Sequence, residues 1–181
     1  LDEARREIDD LDSGLDPQKG YVSLTHGQAP AVMCFPSFSD EIAFLKQRIG
    51  ELQKEGASLE SICVVARTKR ILEGYIGQLQ AAGLATYEIK RNAAEQRDKP
   101  GVRIATMHRV KGLEFEHMLI VSANRGLVPL DQAIRDGEDE VARRNAETGE
   151  RALLYVALTR AKKAAAITGF GELSPFLSAD V

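Results

Sequence analysis

The stretch from Val102 to Phe115 reads VRIATMHRVKGLEF, and the predicted fold follows from it. Its first residues are apolar, as in a strand buried on both faces of a parallel sheet. Polar side chains follow this strand directly, at Thr106, His108, Arg109 and Lys111. Ligands of open α/β sheets bind in the crevice beyond the carboxyl ends of the strands. The stretch therefore predicts a site for a phosphate-rich ligand at that edge, although an ordinary charged loop would have the same composition.

Apolar strands and amphipathic helices alternate along the rest of the chain. We predict buried strands at Ala31–Phe35, Ser61–Ala66, His117–Ser122 and Ala164–Thr168, a short strand at Thr86–Ile89, and helices at Asp40–Lys54, Thr68–Gly83 and Glu150–Ala161. Ser39 and Asp40 are predicted to cap the first helix. Lys90–Pro100 is predicted as a surface loop, and Asp131–Glu150 as a polar, partly helical segment. This alternation is typical of an α/β fold with a parallel sheet and helices on both faces.

The composition is that of an ordinary globular protein without a membrane span. The 181 residues suit one domain, and no run of 18 apolar residues occurs. The net charge of −3 argues against a protein that coats nucleic acid through bulk charge, but the basic residues cluster locally. Cys34 and Cys63 lie in apolar runs without metal-ligand spacing, which predicts free buried thiols, no zinc, and a reducing cytoplasm. Residues 1–24 are acidic, and we expect an extension or linker from a preceding part of a longer chain.

Three blocks of the sequence resemble motifs of the UvrD/PcrA/Rep-like superfamily 1 DNA helicases. TMHRVKGLEF resembles motif V; ERALLYVALTRAKKAAAIT, at Glu150–Thr168, resembles motif VI; and SICVVARTKR, at Ser61–Arg70, resembles motif IVa. The three occur in the order found in that family, within residues 40–170. The resemblance implies that residues 25–181 form the second of two RecA-like (P-loop NTPase-like) domains in an ATP-dependent helicase motor.

Arg160 is the candidate catalytic residue. The segment LLYVALTRA is apolar around most of a helix, so we expect this helix to be buried and its arginine to need an anionic partner. The carboxylate of Glu147 or Glu150 could be this partner, in an internal salt bridge. The resemblance implies instead an arginine finger, which reaches the γ-phosphate of a nucleotide across a domain cleft.

Motif V supplies the candidate nucleotide-binding residues Gly112, Glu114 and Lys111. A glycine lets the backbone approach a phosphate closely, and a carboxylate can accept hydrogen bonds from ribose hydroxyls. The resemblance implies these roles for Gly112 and Glu114, whereas Lys111 could serve either the nucleotide or the DNA. The alternative for Glu114 is an ordinary surface carboxylate.

The resemblance also implies a set of residues that contact the DNA backbone, namely Arg67, Thr68 and Lys69 from motif IVa and Thr106 and His108 from motif V. Such contacts hold a strand without reading its sequence. The family often has asparagine at the position of Lys69. The alternatives are a charged helix start for the first group and a structural hydrogen bond for His108.

Several motifs of a complete motor do not occur in this sequence. No GxxxxGK[ST] phosphate loop is present, and no strand ends in the acidic residue of a Walker B motif. We therefore expect ATP with Mg²⁺ to be bound mainly by the N-terminal RecA-like domain of the same longer chain, and no cofactor or hydrolysis in the isolated fragment. Only residues 85–103 separate Leu84 from Ile104, which leaves no room for the inserted domain of many family members. The predicted partners are single- or double-stranded DNA; the alternative function is a non-catalytic RecA-like module that binds nucleic acid or protein.

Overall fold

Six parallel strands form one sheet in the part of the chain that the structure describes. The structure is a computed structural model that describes residues 29–90, 99–137 and 139–177. In chain order the strands are β1 (Ala31–Phe35), β2 (Ile62–Ala66), β3 (Thr86–Glu88), β4 (Val102–Thr106), β5 (Phe115–Ile120) and β6 (Ala161–Phe170). Across the sheet their order is β1-β6-β5-β2-β4-β3, and every neighbouring pair is parallel. The predicted α/β class is confirmed.

Helices cover both faces of this sheet. They are α1 (Phe38–Lys54), α2 (Lys69–Ala81), α3 (Asp131–Arg135) and α4 (Glu140–Leu158). Side chains of α1 and α2 form one buried apolar cluster with the sheet, and α4 contributes to a second cluster on the other face. The central strands β2 and β4 are therefore shielded from solvent on both sides, as their continuous apolar runs predict.

The caps of the first two helices differ in how well the sequence predicted them. Ser37 caps α1, because its hydroxyl accepts the backbone N–H of Asp40, so the predicted caps Ser39 and Asp40 are wrong. Thr68, where the sequence predicted that the second helix begins, is the N-cap of α2 and accepts the N–H of Ile71. Ser37 and Ser39 are chemically equivalent N-caps, and the start of a helix is known from sequence only to within a few residues.

Helix α4 is longer and less buried than predicted. It begins at Glu140, where Asp139 accepts the N–H of Ala142 at 2.7 Å, and Ala161 already belongs to β6. The first half of the helix lies mostly in solvent, so it lacks the apolar period by which a helix is recognised. The second half buries one stripe only, and Tyr155 is 68% exposed. The prediction that this helix is apolar and buried on nearly all sides is wrong.

Strand β1 lies at the edge of the sheet, which overturns its predicted burial. Val32 is 46% exposed, and Cys34 is a free, exposed thiol, whereas Cys63 in the central strand β2 is buried as predicted. An apolar strand sequence does not reveal whether the strand has a neighbour on one side or on two. Residues 1–24, and residues 91–98 of the predicted surface loop, lie outside the described residues. No described helix is long and apolar enough to span a bilayer.

Candidate functional site

The candidate DNA-binding residues meet at the carboxyl edge of the sheet. Strands β2 and β4 are neighbours, and Ala66 at the end of β2 pairs with Thr106 at the end of β4. Arg67 and the N-cap Thr68 follow β2 directly, and Lys69 is the first residue of α2. Motifs IVa and V thus place their polar residues side by side, because parallel neighbours end at the same edge.

A cationic pocket of about 300 Å³ is open at this edge. Lys69, Thr106 and Arg109 line it, together with Glu88 and Lys90. The ammonium of Lys69 lies 3.5 Å from the Glu88 carboxylate. Three cations therefore face one carboxylate, which leaves an excess of positive charge suited to a phosphate.

Arg109 was predicted at this edge, among the polar side chains that follow β4, but without a DNA-binding role. Lys90 was not assigned to the site, and the sequence could not show it, because only the pairing of β3 with β4 brings the end of β3 beside Thr106.

Arg67 does not stand free at this edge but forms a buried ion pair with Glu150 of α4. Its Nε donates to Oε2 at 2.8 Å, and its Nη2 donates to Oε1 at 2.5 Å. Oε2 also accepts the backbone N–H of Leu130 at 3.0 Å. The two side chains are only 12% and 7% exposed. The guanidinium that we predicted as a DNA contact is thus held by the carboxylate of Glu150, 83 positions later in the sequence.

The carboxylate of Glu150 is expected to make the stability of the chain depend on pH. Burial alone would raise its pKa, but the hydrogen bonds from Arg67 and Leu130, with the charge of Arg67, hold the pKa below its ordinary value of 4.5. A carboxyl with a depressed folded pKa stabilises the fold above the ordinary pKa, and this contribution is lost as the pH falls through the folded pKa. We expect urea unfolding to show this acid loss in the wild type and a smaller one in Glu150→Gln. If the stability of Glu150→Gln depended on pH in the same way as that of the wild type, the Glu150 carboxylate would not be the group responsible.

His108 lies exposed beside this ion pair. Partial burial and then the charge of Arg67 lower the pKa of its imidazole from the ordinary value of 6.5, and Glu150 opposes this. The neutral form of the ring is therefore favoured, and in this form it can donate one N–H to a phosphate without adding a full charge. His108 and Lys111 also line a mainly apolar groove of ≈ 460 Å³ against α4.

Glu114 and Arg160 lie at the opposite, amino edge of the sheet. Glu114 immediately precedes β5, Arg160 immediately precedes β6, and the N–H of Phe115 donates to the carbonyl of Arg160 at 3.0 Å. Glu114 is exposed and pairs with Lys162 at 2.8 Å. The hydrogen bond from Lys162, and then the charges of Lys162 and Arg160, hold the pKa of Glu114 below its ordinary value.

Among the described residues, the guanidinium of Arg160 hydrogen-bonds with the last turn of its own helix. Its Nε donates to the carbonyl of Val156, and its Nη2 to the hydroxyl of Thr159, both at 3.3 Å. Within the described ranges, no carboxylate lies within salt-bridge distance of this side chain, which is half-buried.

The two carboxylates proposed as internal partners of Arg160 are engaged elsewhere. Glu150 is held by Arg67, and Glu147 lies 3.7 Å from Arg151 on the exposed side of α4. The internal salt bridge that we considered for Arg160 is therefore wrong for both carboxylates.

The candidate residues thus fall at two edges, and the expectation of one crevice at the carboxyl edge is wrong. Residues 107–114 cross from the end of β4 to the start of β5, a strand length on the order of 15–20 Å. Gly112 lies on this crossing with φ +83°, and a Cβ there would meet no atom within 4 Å. The left-handed backbone conformation, rather than packing within this domain, therefore requires glycine at that position.

Comparisons with known proteins identify the family and the fold of this chain. The model of the UvrD-like helicase C-terminal domain matches residues 79–171. The "Putative ATP-dependent DNA helicase YjcD" of Bacillus subtilis is 35% identical over 127 residues, which are 66% of this chain and 15% of that protein. The ATP-dependent DNA helicase UvrD2 of Mycobacterium tuberculosis is 35% identical over 100 residues, which are 54% of this chain and 13% of that protein.

A solved structure has the same fold. The C-terminal domain of a possible DNA helicase from Lactobacillus plantarum WCFS1 superposes with a TM-score of 0.61 at 23% identity, over 84% of this chain and 80% of that one. The alignments with the curated relatives span only a small part of their lengths, so they identify a domain. The family match includes all of motifs V and VI. This chain, a parallel α/β domain with those motifs at two edges of its sheet, belongs to the family of UvrD-like helicase C-terminal domains.

Proposed function

We propose that this chain is the second motor domain of an ATP-dependent DNA helicase or translocase. In this proposal a first RecA-like domain of the same longer protein binds ATP and Mg²⁺, and Arg160 enters its site across the cleft. The carboxyl edge meanwhile contacts the backbone of single-stranded DNA. Closure of the cleft on ATP and its opening after hydrolysis would then move the DNA-facing edge along the strand.

The state of Arg160 is the observation that best supports this function. An arginine without a salt-bridge partner among the described residues is well suited to stabilise the charge that develops on a transferring phosphoryl group. Glu114 is at the same edge, and its exposed pair with Lys162 is of a kind worth little in water, so a ribose hydroxyl could displace it. Gly112 and Lys111 lie on the crossing that leads to this edge.

The DNA contacts that we propose are Thr68, Lys69, Thr106 and His108, to which the pocket adds Arg109. Lys69, Thr106 and Arg109 line one open pocket, where a phosphodiester would find cations and a hydroxyl together. Thr68 and His108 follow β2 and β4 at the same edge of the sheet. We expect discrimination to follow strand geometry rather than base identity, with a marked dependence on salt. Arg67 is left out of this set because Glu150 holds two of its three nitrogens, Nε and Nη2.

The decisive experiment measures ATP hydrolysis by the full-length protein that contains this domain, with and without an oligo-dT strand. We expect turnover that rises on addition of DNA, and no turnover from residues 1–181 alone. The second candidate function, a non-catalytic module, is favoured by the apolar groove along α4, which could accept a protein partner. Strand binding by the full-length protein without any hydrolysis of ATP would support that alternative and contradict the motor.

The pocket residues are expected to change the salt dependence of DNA binding. Lys69→Ala and Arg109→Ala should each weaken binding of oligo-dT, and each should reduce the slope of log Kd against log salt by about 0.7, the value for one phosphate contact on a single strand. Fluorescence anisotropy at several salt concentrations measures both quantities in the full-length protein. Lys54→Ala is the matched control, because Lys54 is exposed at the end of α1, at the amino edge. Slopes equal to the wild type in both pocket variants would exclude this pocket from the DNA path.

A further inference from the structure

We propose that the Arg67–Glu150 ion pair fixes α4 to the carboxyl edge of the sheet and thereby couples DNA binding at that edge to the position of Arg160. The inference rests on the function proposed above, and it gives Arg67 and Glu150 a positioning role. Neither residue would touch the nucleotide.

The geometry of the pair suits a rigid connection. Residues 83 positions apart in the sequence meet through two parallel N–H···O bonds, and the N–H of Leu130 adds a third donor to the same carboxylate. An exposed ion pair tolerates many relative positions of its partners, whereas a buried bidentate arginine–carboxylate pair tolerates few. The end of β2, the start of α3 and the middle of α4 are therefore held together at one point.

On the sheet side, the pair is next to the proposed DNA contacts. Arg67 directly precedes Thr68 and Lys69, and the charges of both Arg67 and Glu150 act on the imidazole of His108. The Nη1 of Arg67 makes no hydrogen bond within the described ranges, so a phosphate at this edge could attract it and compete with the carboxylate. Binding of a DNA strand would thus act directly on the ion pair.

On the helix side, α4 connects the pair to the other edge. Glu150 precedes Arg160 by ten residues, a rise of about 15 Å along a helix axis. The helix continues to Leu158, and the last turn holds the guanidinium of Arg160 through the carbonyl of Val156 and the hydroxyl of Thr159. Because a helix transmits displacement along its axis, a shift at Glu150 also moves the last turn of α4, which holds the side chain of Arg160.

The test compares DNA-stimulated with DNA-free ATP turnover in the same preparation of full-length protein. Glu150→Gln keeps the size of the side chain but not its charge. Arg67→Lys keeps the charge but cannot form the bidentate pair of hydrogen bonds. We expect each change to reduce the stimulation by saturating oligo-dT about fivefold or more, within the usual range of coupling between two sites. The ratio does not depend on the folded fraction, and thermal melting reports any loss of stability separately. Glu147→Gln, one turn earlier on the exposed side of α4, should leave the ratio unchanged.

A charge exchange provides a readout that general destabilisation would not. The double variant Arg67→Glu with Glu150→Arg should recover part of the stimulation that each single change removes. The coupling is refuted if Glu150→Gln retains the wild-type ratio. It is also refuted if only the Arg67 change has an effect and that effect is a weaker Kd for oligo-dT with a smaller salt slope, which would make Arg67 a direct DNA contact. A wild-type protein without DNA stimulation would overturn the proposed function itself.

Discussion

Replacing Arg160 with alanine is expected to lower kcat for DNA-stimulated ATP hydrolysis about a thousandfold or more, the usual contribution of an arginine finger. The affinity for ATP should change much less, because the finger acts on charge that develops only in the transition state. The Kd for oligo-dT measured without nucleotide should not change, since Arg160 is at the amino edge and the proposed DNA contacts are at the carboxyl edge. Steady-state turnover, nucleotide binding and anisotropy on the full-length protein measure these three quantities.

A matched arginine distinguishes this role from a general effect of charge. Arg144→Ala removes an equally charged side chain from the exposed part of α4, where Arg144 pairs with Glu140, and turnover should stay near the wild-type value. Arg160→Lys should restore little activity, because an ammonium lacks the planar fork of donors. Turnover of Arg160→Ala within about threefold of the wild type, with nucleotide still bound, would refute the finger.

Replacing Glu41 with alanine is expected to cause the largest loss of stability, about 3 kcal/mol or more, from buried donors left without an acceptor. Glu41 is fully buried in α1. Its Oε1 accepts the backbone N–H of Ser122 at 2.9 Å and the hydroxyl of Thr168 at 2.5 Å, and its Oε2 accepts the hydroxyl of Tyr75. Burial, and then the charge of Glu41, raises the pKa of Tyr75, so the phenol stays protonated and donates. Equilibrium urea unfolding measures the loss.

Two further variants define the cause of this loss. Glu73→Ala removes an exposed glutamate from the neighbouring helix α2 and should change the free energy of unfolding by less than about 0.5 kcal/mol. Tyr75→Phe removes one donor and leaves the ring packed against Phe38, so its cost should be about 1–2 kcal/mol. If Glu41→Ala proves no less stable than Glu73→Ala, this hydrogen-bond network does not hold the two helices to the sheet.

Local patterns were most informative where burial is periodic or nearly complete. The runs at β2 and β4 and the stripe Ile42, Leu45, Ile49 and Leu52 in α1 predicted their elements correctly, because each run reflects its own contact with the core. The exposed half of α4 has no apolar period from which a helix could be predicted. The sequence of β1 resembles that of a central strand, although β1 lies at the edge of the sheet. The apolar period of a segment indicates how that segment is buried. Which strands lie beside it in the sheet depends on the sequence of other parts of the chain.

The sequence by itself determined the class of the fold, the family and the chemistry of motifs IVa, V and VI, because these reside in short spacings of residue types. The tertiary structure alone decided which of these groups meet. The strand order brings Lys90 beside Thr106, separates Arg160 from the carboxyl edge, and brings Arg67 to Glu150 across 83 residues. Contacts of this kind depend on the packing of whole elements, and no local pattern of residues encodes which distant carboxylate a buried guanidinium will find.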